Sequence, residues 1–304
     1  MSDKTFKSGM VSIVGRPNTG KSTLLNALVG TKISIISRVP QTTRHQIRGI
    51  YNDDHGQIVF IDTPGLHRGR DKLDQSMNQI ISGCIHDAEC LIYLVDTTRK
   101  VGQEENNIAQ KVKDLKCPVI LGLNKVDLKS ADIPGYIAFW EEIKGMPVTE
   151  MKNFAMIPLS GKEETNLDKL VEVIYDFLPE GPALYPTDTV TDTPERLTVA
   201  EIVREKLLMS MSDEIPHSIG VIIESMRPRK GKTIYVRALI LVERDTHKEI
   251  VIGKNGAMLK KIGTLARQEL ETLLESKVFL ECFVKVQKNW RDDVSIIQEL
   301  GYSS

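Results

Sequence analysis

The fold of the amino-terminal half is decided by the stretch Gly15-Arg16-Pro17-Asn18-Thr19-Gly20-Lys21-Ser22. Its glycines let backbone N–H groups curl around phosphate groups, while Lys21 adds a positive charge and the Ser22 hydroxyl can bind Mg²⁺. The apolar run 10–14 before it predicts a buried strand, and residues 22–29 after it predict a helix whose amino terminus faces the anion. A strand, this loop and a helix in that order predict a P-loop that binds a nucleoside triphosphate.

A second motif, Asn124-Lys125-Val126-Asp127, predicts which base is bound. It follows the apolar run 119–123 and so lies at the carboxyl end of a strand, where open α/β sheets bind ligands. The Asp127 carboxylate can accept two hydrogen bonds from guanine, whereas adenine would leave that charge unpaired. The tetrapeptide alone is also typical of turns, but its position behind a P-loop indicates a guanine site.

The tripeptide Ser160-Gly161-Lys162 precedes a predicted helix over residues 166–178. We predict that it contacts the base, although the same tripeptide also suits an ordinary loop before a helix.

The motif Asp62-Thr63-Pro64-Gly65 follows a predicted strand over residues 57–61. Asp62 is expected beside Mg²⁺, through a water molecule, and the Gly65 N–H is expected to reach the γ-phosphate. Between the first helix and this strand, Thr42 and Thr43 each offer a hydroxyl that could bind Mg²⁺ when GTP is present. By resemblance to related GTPases, Thr43 is favoured.

Hydrolysis is predicted to be slow. Many GTPases have a glutamine directly after this motif to orient the attacking water, but Leu66 stands there and forms no hydrogen bond. A K⁺ ion held near Asn18 could supply the missing polar group, because GTPases with a similar asparagine use potassium.

These motifs together define a predicted site. The predicted catalytic residues are Asn18, Lys21, Thr43 and Gly65, and the predicted Mg²⁺ site contains Ser22, Thr43 and Asp62. The predicted GTP-binding residues are Gly15, Arg16, Pro17, Asn18, Thr19, Gly20, Lys21, Ser22, Thr23, Asp62, Thr63, Pro64, Gly65, Leu66, Asn124, Lys125, Asp127, Ser160, Gly161 and Lys162.

The composition changes after the last predicted helix of the GTP-binding half. Residues 179–194 contain Pro, Thr, Asp and Gly with little periodicity, which is typical of a linker. We therefore predict a GTP-binding domain over 1–180, a linker over 181–194 and a second domain over 195–304. The second domain is expected to begin with a helix over 195–209, followed by strands over 218–224 and 233–242 with a basic turn between them.

Downstream, Ile250-Val251-Ile252 leads into Gly253-Lys254-Asn255-Gly256, then a helical pattern and a last strand over 277–286. This arrangement resembles a type II KH domain, whose GXXG loop clamps the backbone of four single-stranded nucleotides. Residues 185–304 contain 18 Lys plus Arg against 18 Asp plus Glu, so an RNA surface must be a local patch. The predicted RNA-binding residues are Arg227, Arg229, Lys230, Lys232, Gly253, Lys254, Asn255, Gly256, Lys260 and Lys261.

Length and composition fit this division. At 304 residues with 41% hydrophobic residues, the chain can build two ordinary cores, and it contains no membrane-spanning run or secretory signal. Its four cysteines form no CxxC pair and lie near no histidine cluster, which disfavours zinc and favours a reduced, cytoplasmic setting.

Together with the P-loop and KH-like halves, the strings PERLTVAEIVREKLL, EIPHS, IGKNG and the terminal ELGY closely resemble the Era family of bacterial ribosome-assembly GTPases. The resemblance covers essentially the whole chain. It implies a mostly parallel α/β GTPase domain followed by an α+β KH domain, Mg²⁺-dependent GTP hydrolysis, and binding to the 3′ end of 16S ribosomal RNA during late maturation of the 30S subunit. It also implies peripheral membrane association and no DNA partner. Ser160-Gly161 departs from the Ser-Ala more common in relatives, which could loosen that loop.

Two other functional classes are open on the sequence alone. One is a GTPase coupled to RNA modification, but residues 185–304 contain no pattern typical of a catalytic cluster. The other is a membrane-associated signalling GTPase without an RNA partner, which the near-neutral second domain would suit. Crosslinking to RNA in cells distinguishes this last class from an RNA-binding switch.

Overall fold

The computed structural model describes residues 5–65, 71–211, 215–229 and 231–302. This part of the chain forms two compact units. The first contains residues 5–34, 43–65 and 78–192. The second contains residues 35–42 and 71–77 together with the described part of 193–302.

The first unit is built on a six-stranded sheet in the order β2-β3-β1-β4-β5-β6, in which β2 and β3 pair antiparallel and the other neighbours pair parallel. Its strands are β1 (Lys7–Val14), β2 (Ile47–Asp53), β3 (Gly56–Asp62), β4 (Cys90–Asp96), β5 (Val119–Asn124) and β6 (Phe154–Pro158). The accompanying helices are α1 (Lys21–Val29), α2 (Lys72–His86), α3 (Gln103–Val112), α4 (Ile133–Lys144) and α5 (Leu167–Phe177), with the first residues of α2 assigned to the second unit.

Both faces of this sheet are covered, which is why its central strands are apolar along their whole length. Along β4, Ile92 and Leu94 pack in one core cluster with α1 and α5. The alternate residues Tyr93 and Val95 pack in another with α3 and α4. This is the doubly covered, mostly parallel α/β sheet that the P-loop predicts.

The segment predicted as a linker is hydrogen-bonded along the sheet edge. The Val190 carbonyl accepts from the Ile50 N–H at 2.9 Å, and Arg48 pairs with Asp192 at 2.8 Å. The predicted boundary at residue 180 therefore differs from the division in the structure, where the first unit continues to Asp192. The lack of a periodic hydrophobic pattern predicted a segment without regular secondary structure. Such a segment can still form hydrogen bonds with the exposed backbone groups of an edge strand.

The second unit has a three-stranded sheet in the order β7-β8-β9, with β7–β8 antiparallel and β8–β9 parallel. The strands are β7 (Gly220–Arg229), β8 (Thr233–Val242) and β9 (Lys277–Val286), and the helices are α6 (Glu195–Ser210), α7 (Asp245–Ile252), α8 (Ala257–Leu273) and α9 (Val294–Glu299). Helices α6, α7 and α8 share one core with the sheet. Within the described ranges, no helix combines the length and apolar character needed to span a bilayer.

On the other face of this sheet, one end is covered by a smaller cluster around Trp290. The fully buried Trp290 donates its indole N–H to the Ser218 carbonyl at 2.9 Å and packs with Leu241, Ile297 and Leu300. This cluster holds α9 against the sheet, and the carboxyl-terminal residues therefore form part of the second unit.

Candidate functional site

The P-loop connects β1 to α1 and holds Lys21 among its own carbonyl groups. The buried Lys21 Nζ donates to the carbonyls of Gly15 at 3.3 Å and Arg16 at 3.0 Å. Burial lowers the Lys21 pKa to about 8, against the opposing influence of Asp62 and Glu105. Phosphate groups would favour the charged form. Gly20 has φ of 100°, and a Cβ there would collide with the Asn124 amide, so glycine is required.

Four oxygen-bearing side chains converge next to this loop. The Ser22 hydroxyl donates to Asp62 Oδ2 at 2.6 Å and lies 2.9 Å from Thr43 Oγ1, while Ser34 donates to the same carboxylate oxygen at 3.0 Å. Burial raises the pKa of Asp62. Among the described residues, none donates a hydrogen bond to its buried Oδ1 atom. Hard oxygen ligands and a buried carboxylate oxygen fit Mg²⁺, which Ser22, Thr43 and Asp62 would hold.

The structure separates the two threonines that the sequence left as alternatives. Thr43 Oγ1 faces Ser22, as described above. Thr42 Oγ1 instead donates to the Val39 carbonyl at 2.6 Å and lies 2.7 Å from the Ser37 hydroxyl. The position of Thr43 therefore suits a role beside Mg²⁺, whereas Thr42 stabilises its own turn.

The guanine motif begins at the end of β5 and braces the P-loop. Asn124 donates to the Thr19 carbonyl at 2.7 Å and accepts from the Gly161 N–H at 3.1 Å. Lys125 donates to the Asn18 carbonyl at 2.9 Å and to Asp96 at 2.6 Å. Burial alone would raise the pKa of Asp96, but the hydrogen bonds from Lys125 and Thr98 lower it below its ordinary value.

The residues predicted to bind the base follow these hydrogen-bonded residues along the chain. Asp127 is exposed, as expected for a carboxylate that must reach a ligand. Ser160 is buried and its hydroxyl accepts from the Glu163 N–H at 3.1 Å, whereas the exposed Lys162 pairs with Glu163 at 2.5 Å. A Cβ on Gly161 would lie 3.1 Å from Leu24 Cα, so the glycine brings this loop close to α1.

Several residues predicted to bind GTP turn their side chains into the protein. The Arg16 guanidinium is buried against Glu105 at 2.5 Å and donates to the Tyr136 hydroxyl at 3.0 Å. Thr19 donates to the Arg16 carbonyl at 3.1 Å, and Thr63 donates to the Ile13 carbonyl at 2.8 Å. These residues can offer backbone groups to the nucleotide, while their side chains fix the loop.

The other predicted nucleotide residues are placed around this core. Asn18 has φ of 64° and is exposed at the tip of the loop. A Cβ on Gly65 would lie 2.8 Å from Pro17 Cγ, so the DTPG backbone packs on the P-loop. Thr23 is half-buried on α1 and Pro64 is buried. Leu66 lies outside the described residues.

The GXXG segment joins α7 to α8. Gly253 ends α7 with φ of 73°, where a Cβ would lie 2.6 Å from Met258 Cβ, and Gly256 precedes α8 with φ of 77°. Between them, Lys254 and Asn255 are exposed. Lys260 and Lys261 on α8 are also exposed, so these predicted RNA-binding residues are accessible from solvent.

The remaining predicted RNA-binding residues lie elsewhere on the second unit. Arg227 is paired with Tyr235 across β7 and β8, on the sheet face opposite α7 and α8. Arg229 lies on the same face over the Phe279 ring, and Lys232 is exposed in the turn. Lys230 lies outside the described residues. The sequence predicted one local patch, whereas the described members lie in two separate groups, one on the segment between α7 and α8 and on α8, the other at the β7–β8 end of the sheet.

Comparison with known proteins agrees with this architecture. A family model described as a 50S ribosome-binding GTPase matches residues 10–125, and a KH domain model matches residues 214–291. The chain is 45% identical to GTPase Era of Halothermothrix orenii over 98% of this chain and 99% of that protein. It is also 45% identical to GTPase Era of Geobacter metallireducens over the full length of both. The chain belongs to the Era family of GTPases.

Solved structures of Era proteins match over both units. A single-residue variant of Aquifex aeolicus Era bound to GDP·AlF₄⁻ gives a TM-score of 0.91 at 40% identity, covering 98% of this chain and all of that chain. An Era structure in complex with MgGDPNP and nucleotides 1506–1542 of 16S ribosomal RNA gives the same values. The predicted fold class, a P-loop GTPase domain followed by a KH domain, and the predicted GTPase activity are thereby confirmed.

Four residues of this Era-family site were not found by sequence reasoning. Asp96 holds Lys125 and ends the apolar strand β4, so its position at a strand terminus was a usable signal. The other three lie in segments without a motif. Ser34 donates a hydrogen bond to Asp62, whereas Glu105 and Tyr136 contact the Arg16 guanidinium. Residues that position others are recognised only when the folded contacts are known.

Proposed function

We propose that this chain is a GTP-dependent switch in which the nucleotide held by the first unit controls RNA binding by the second. By analogy with the Era structure that contains nucleotides 1506–1542 of 16S ribosomal RNA, we propose the 3′ end of that RNA as the ligand. Maturation of the 30S subunit is the corresponding cellular role.

The observation that carries this proposal is the way residues 35–42 are bound. They connect α1 to the Thr43 segment, yet they belong to the second unit. The buried Arg204 of α6 donates to the Thr42 carbonyl and pairs with Glu201. Its neighbour Glu205 accepts from the Ile36 N–H at 2.9 Å. Helix α6 therefore holds both ends of this segment.

Thr42 is followed directly by Thr43, whose hydroxyl lies next to Ser22. A movement of Thr43 on loss of the γ-phosphate would pass through one peptide bond to a residue that α6 holds. Order and disorder of such segments is the usual switch in GTPases. This connection gives the nucleotide a covalent route to the RNA-binding unit.

A second connection follows the DTPG motif. Asp71 accepts from Arg291 in an ion pair of 2.7 Å, and Asp74 lies 3.5 Å from the same guanidinium. Both carboxylates are mostly buried and belong to the second unit. The chain that follows Gly65 thus also leads into residues bound by the carboxyl-terminal part of the protein.

For RNA binding, we propose that the backbone of a single strand contacts the segment from Gly253 to Gly256, with Lys254, Lys260 and Lys261 nearby. Small residues permit close approach of the RNA backbone, and the exposed lysines supply positive charge. We also propose that Asp127 and Ser160 contact the guanine base and that the remaining predicted GTP-binding residues surround the nucleotide.

For hydrolysis, we propose that K⁺ bound near Asn18 compensates for the leucine at position 66. Turnover of GTP measured in KCl and in NaCl at equal ionic strength tests this, and equal rates would contradict it. We further propose a cytoplasmic protein that associates peripherally with the membrane, which sedimentation with phospholipid vesicles tests.

The decisive experiment measures the affinity for a fluorescent oligonucleotide of the 16S ribosomal RNA 3′ end, once with GDP and once with a non-hydrolysable GTP analogue. We expect the two affinities to differ in the unmodified protein. In Glu205→Ala, which removes the acceptor for Ile36, the difference should shrink while nucleotide affinity is retained. Glu195→Ala, on an exposed position of the same helix, is the matched control.

Two results would contradict the proposal at different points. Equal RNA affinity in both nucleotide states of the unmodified protein would eliminate the switch. A normal difference that persists in Glu205→Ala would eliminate the route through α6 and leave the switch intact.

A further inference from the structure

The sheet of the second unit has one face that the helices α6, α7 and α8 do not cover. Along β8, Val236, Ala238 and Ile240 pack in the core with these helices. Tyr235 and Arg237 alternate with them and therefore point to the opposite face. Among the described residues, the Trp290 cluster covers the end of this face near Leu241.

The uncovered end of that face bears aromatic side chains. Phe279 is 44% exposed and Phe283 is 43% exposed, although large aromatic residues are normally buried. Tyr235 is paired with Phe279 in the parallel β8–β9 register, and their ring centroids lie 6.1 Å apart in a stacked arrangement. Four residues along a strand separate Phe279 from Phe283 by about 13 Å.

An arginine guanidinium lies over each of the three rings. The guanidinium carbons of Arg227, Arg229 and Arg237 lie 5.2, 5.0 and 4.5 Å from the ring centroids of Tyr235, Phe279 and Phe283, respectively. Such contacts hold the planar guanidinium over the ring, and the exposed Arg227 and Arg229 keep their edge donors accessible to a ligand. We call the surface formed by these three pairs the aromatic face.

The aromatic face is positively charged, although residues 185–304 as a whole are neutral. Lys277 and Lys285 are exposed on the same side of β9 as the phenylalanines, which gives five cations. Two carboxylates oppose them, because Glu224 pairs with Arg237 at 2.9 Å and Glu281 accepts from the Tyr235 hydroxyl at 2.6 Å. The ligand that matches this surface combines flat apolar groups with negative charge.

We propose that the aromatic face binds single-stranded RNA, as a second site separate from the segment between α7 and α8. Unstacked bases would lie on the Phe279 and Phe283 rings or on the guanidinium planes, and phosphates would accept from the arginines. Stacking on aromatic rings and guanidinium groups is how proteins hold unpaired nucleotides. The inference rests on the proposed RNA binding of the second unit and adds a site on the opposite face of its sheet.

A protein partner fits this surface less well. Aromatic and arginine side chains are also common at protein interfaces, but lysine is depleted there, and the exposed Lys277 and Lys285 lie on the same side of β9 as the phenylalanines. An RNA strand offers both partners, because a base can replace a guanidinium on a ring and a neighbouring phosphate can accept hydrogen bonds from the displaced guanidinium.

The test uses fluorescein-labelled oligouridine and oligoadenosine of about twelve nucleotides, which carry no 16S sequence and exceed the roughly four nucleotides that a GXXG loop clamps. Binding is measured by anisotropy in the full chain and in the double variant Lys254→Asp, Asn255→Asp, which disables the segment between α7 and α8. On both backgrounds, Phe279→Leu and Phe283→Leu keep apolar bulk and remove the aromatic ring. Phe6→Leu, at a similarly exposed position of the first unit, is the matched control.

We expect each of the two leucine variants to weaken binding about tenfold on both backgrounds and the control to have no effect. The pair Arg227→Lys, Arg229→Lys should weaken binding without changing its salt dependence. The corresponding Arg→Gln pair should reduce the slope of log affinity against log salt by about 1.4. Ultraviolet crosslinking should attach RNA to the β9 peptide.

Unchanged affinity in both phenylalanine variants would overturn the proposal, even if the face proved to bind a protein. Complete loss of binding in the double variant alone would also overturn it, because the aromatic face would then hold no RNA by itself. If the unmodified chain bound no single-stranded RNA of any sequence, the proposed function would fail first.

Discussion

Arg16 and Glu105 form an ion pair in which both side chains are buried, at 2.5 Å and at most 5% exposed. Arg16 belongs to the P-loop and its carbonyl accepts from Lys21, so this pair anchors the loop from behind rather than touching phosphate. Tyr136 contacts the same guanidinium and donates to the Asp96 carbonyl at 3.0 Å, which extends the support to β4.

We therefore predict that Glu105→Ala destabilises the first unit by about 3–5 kcal/mol, because it leaves a buried guanidinium without its counter-charge. Affinity for GDP should fall as well, since the carbonyl that holds Lys21 loses its anchor. Urea unfolding and GDP titration measure the two effects. Glu104→Ala, one residue earlier and exposed, should change neither, and a similar loss in that control would refute the explanation.

The two threonines give a second prediction. Thr43→Ala should lower affinity for a Mg²⁺-bound GTP analogue at least about tenfold and leave GDP affinity nearly unchanged, because the Thr43 hydroxyl would contact Mg²⁺ only while the γ-phosphate holds its segment in place. Thr42→Ala removes the hydrogen bond to Val39 and should act equally on both nucleotides. Titration with fluorescent nucleotides distinguishes the two patterns. If Thr42→Ala instead lowered only the affinity for the GTP analogue, Thr42 and not Thr43 would be the residue beside Mg²⁺.

The sequence was sufficient to predict strands with a clear local pattern and insufficient to predict contacts between distant residues. The strands at 233–242 and 277–286 were predicted with the bounds that the structure has. Helix α7 was not predicted, because Ile250-Val251-Ile252 favours a strand by local propensity. In the structure these residues are the last turn of a helix that Gly253 caps. The hydrogen bond from Arg204 to the Thr42 carbonyl joins positions far apart in sequence, and no sequence motif predicts such a contact.

Base selection gives a third prediction. Asp127→Asn should shift preference from guanine to xanthine nucleotides by at least about a hundredfold, because an amide nitrogen complements the second carbonyl of xanthine. Competition between GDP and XDP measures this preference. Asp114→Asn, the same change at an exposed position of the first unit, is the control. Retained guanine preference in the Asp127 variant would remove this carboxylate from the base site.

The cysteines give a last prediction, which follows from burial. Burial raises the pKa of Cys90 to about 12 and those of Cys84 and Cys282 to about 11, whereas Cys117 is only partly buried and its pKa is raised less. Since the thiolate is the reactive form, iodoacetamide at about pH 8 should label Cys117 first and Cys90 slowest, at least about a hundredfold slower than in urea. Peptide mass spectrometry over time gives the order. Fast labelling of Cys90 in the folded protein would mean that the central strand β4 opens readily, which its complete burial argues against.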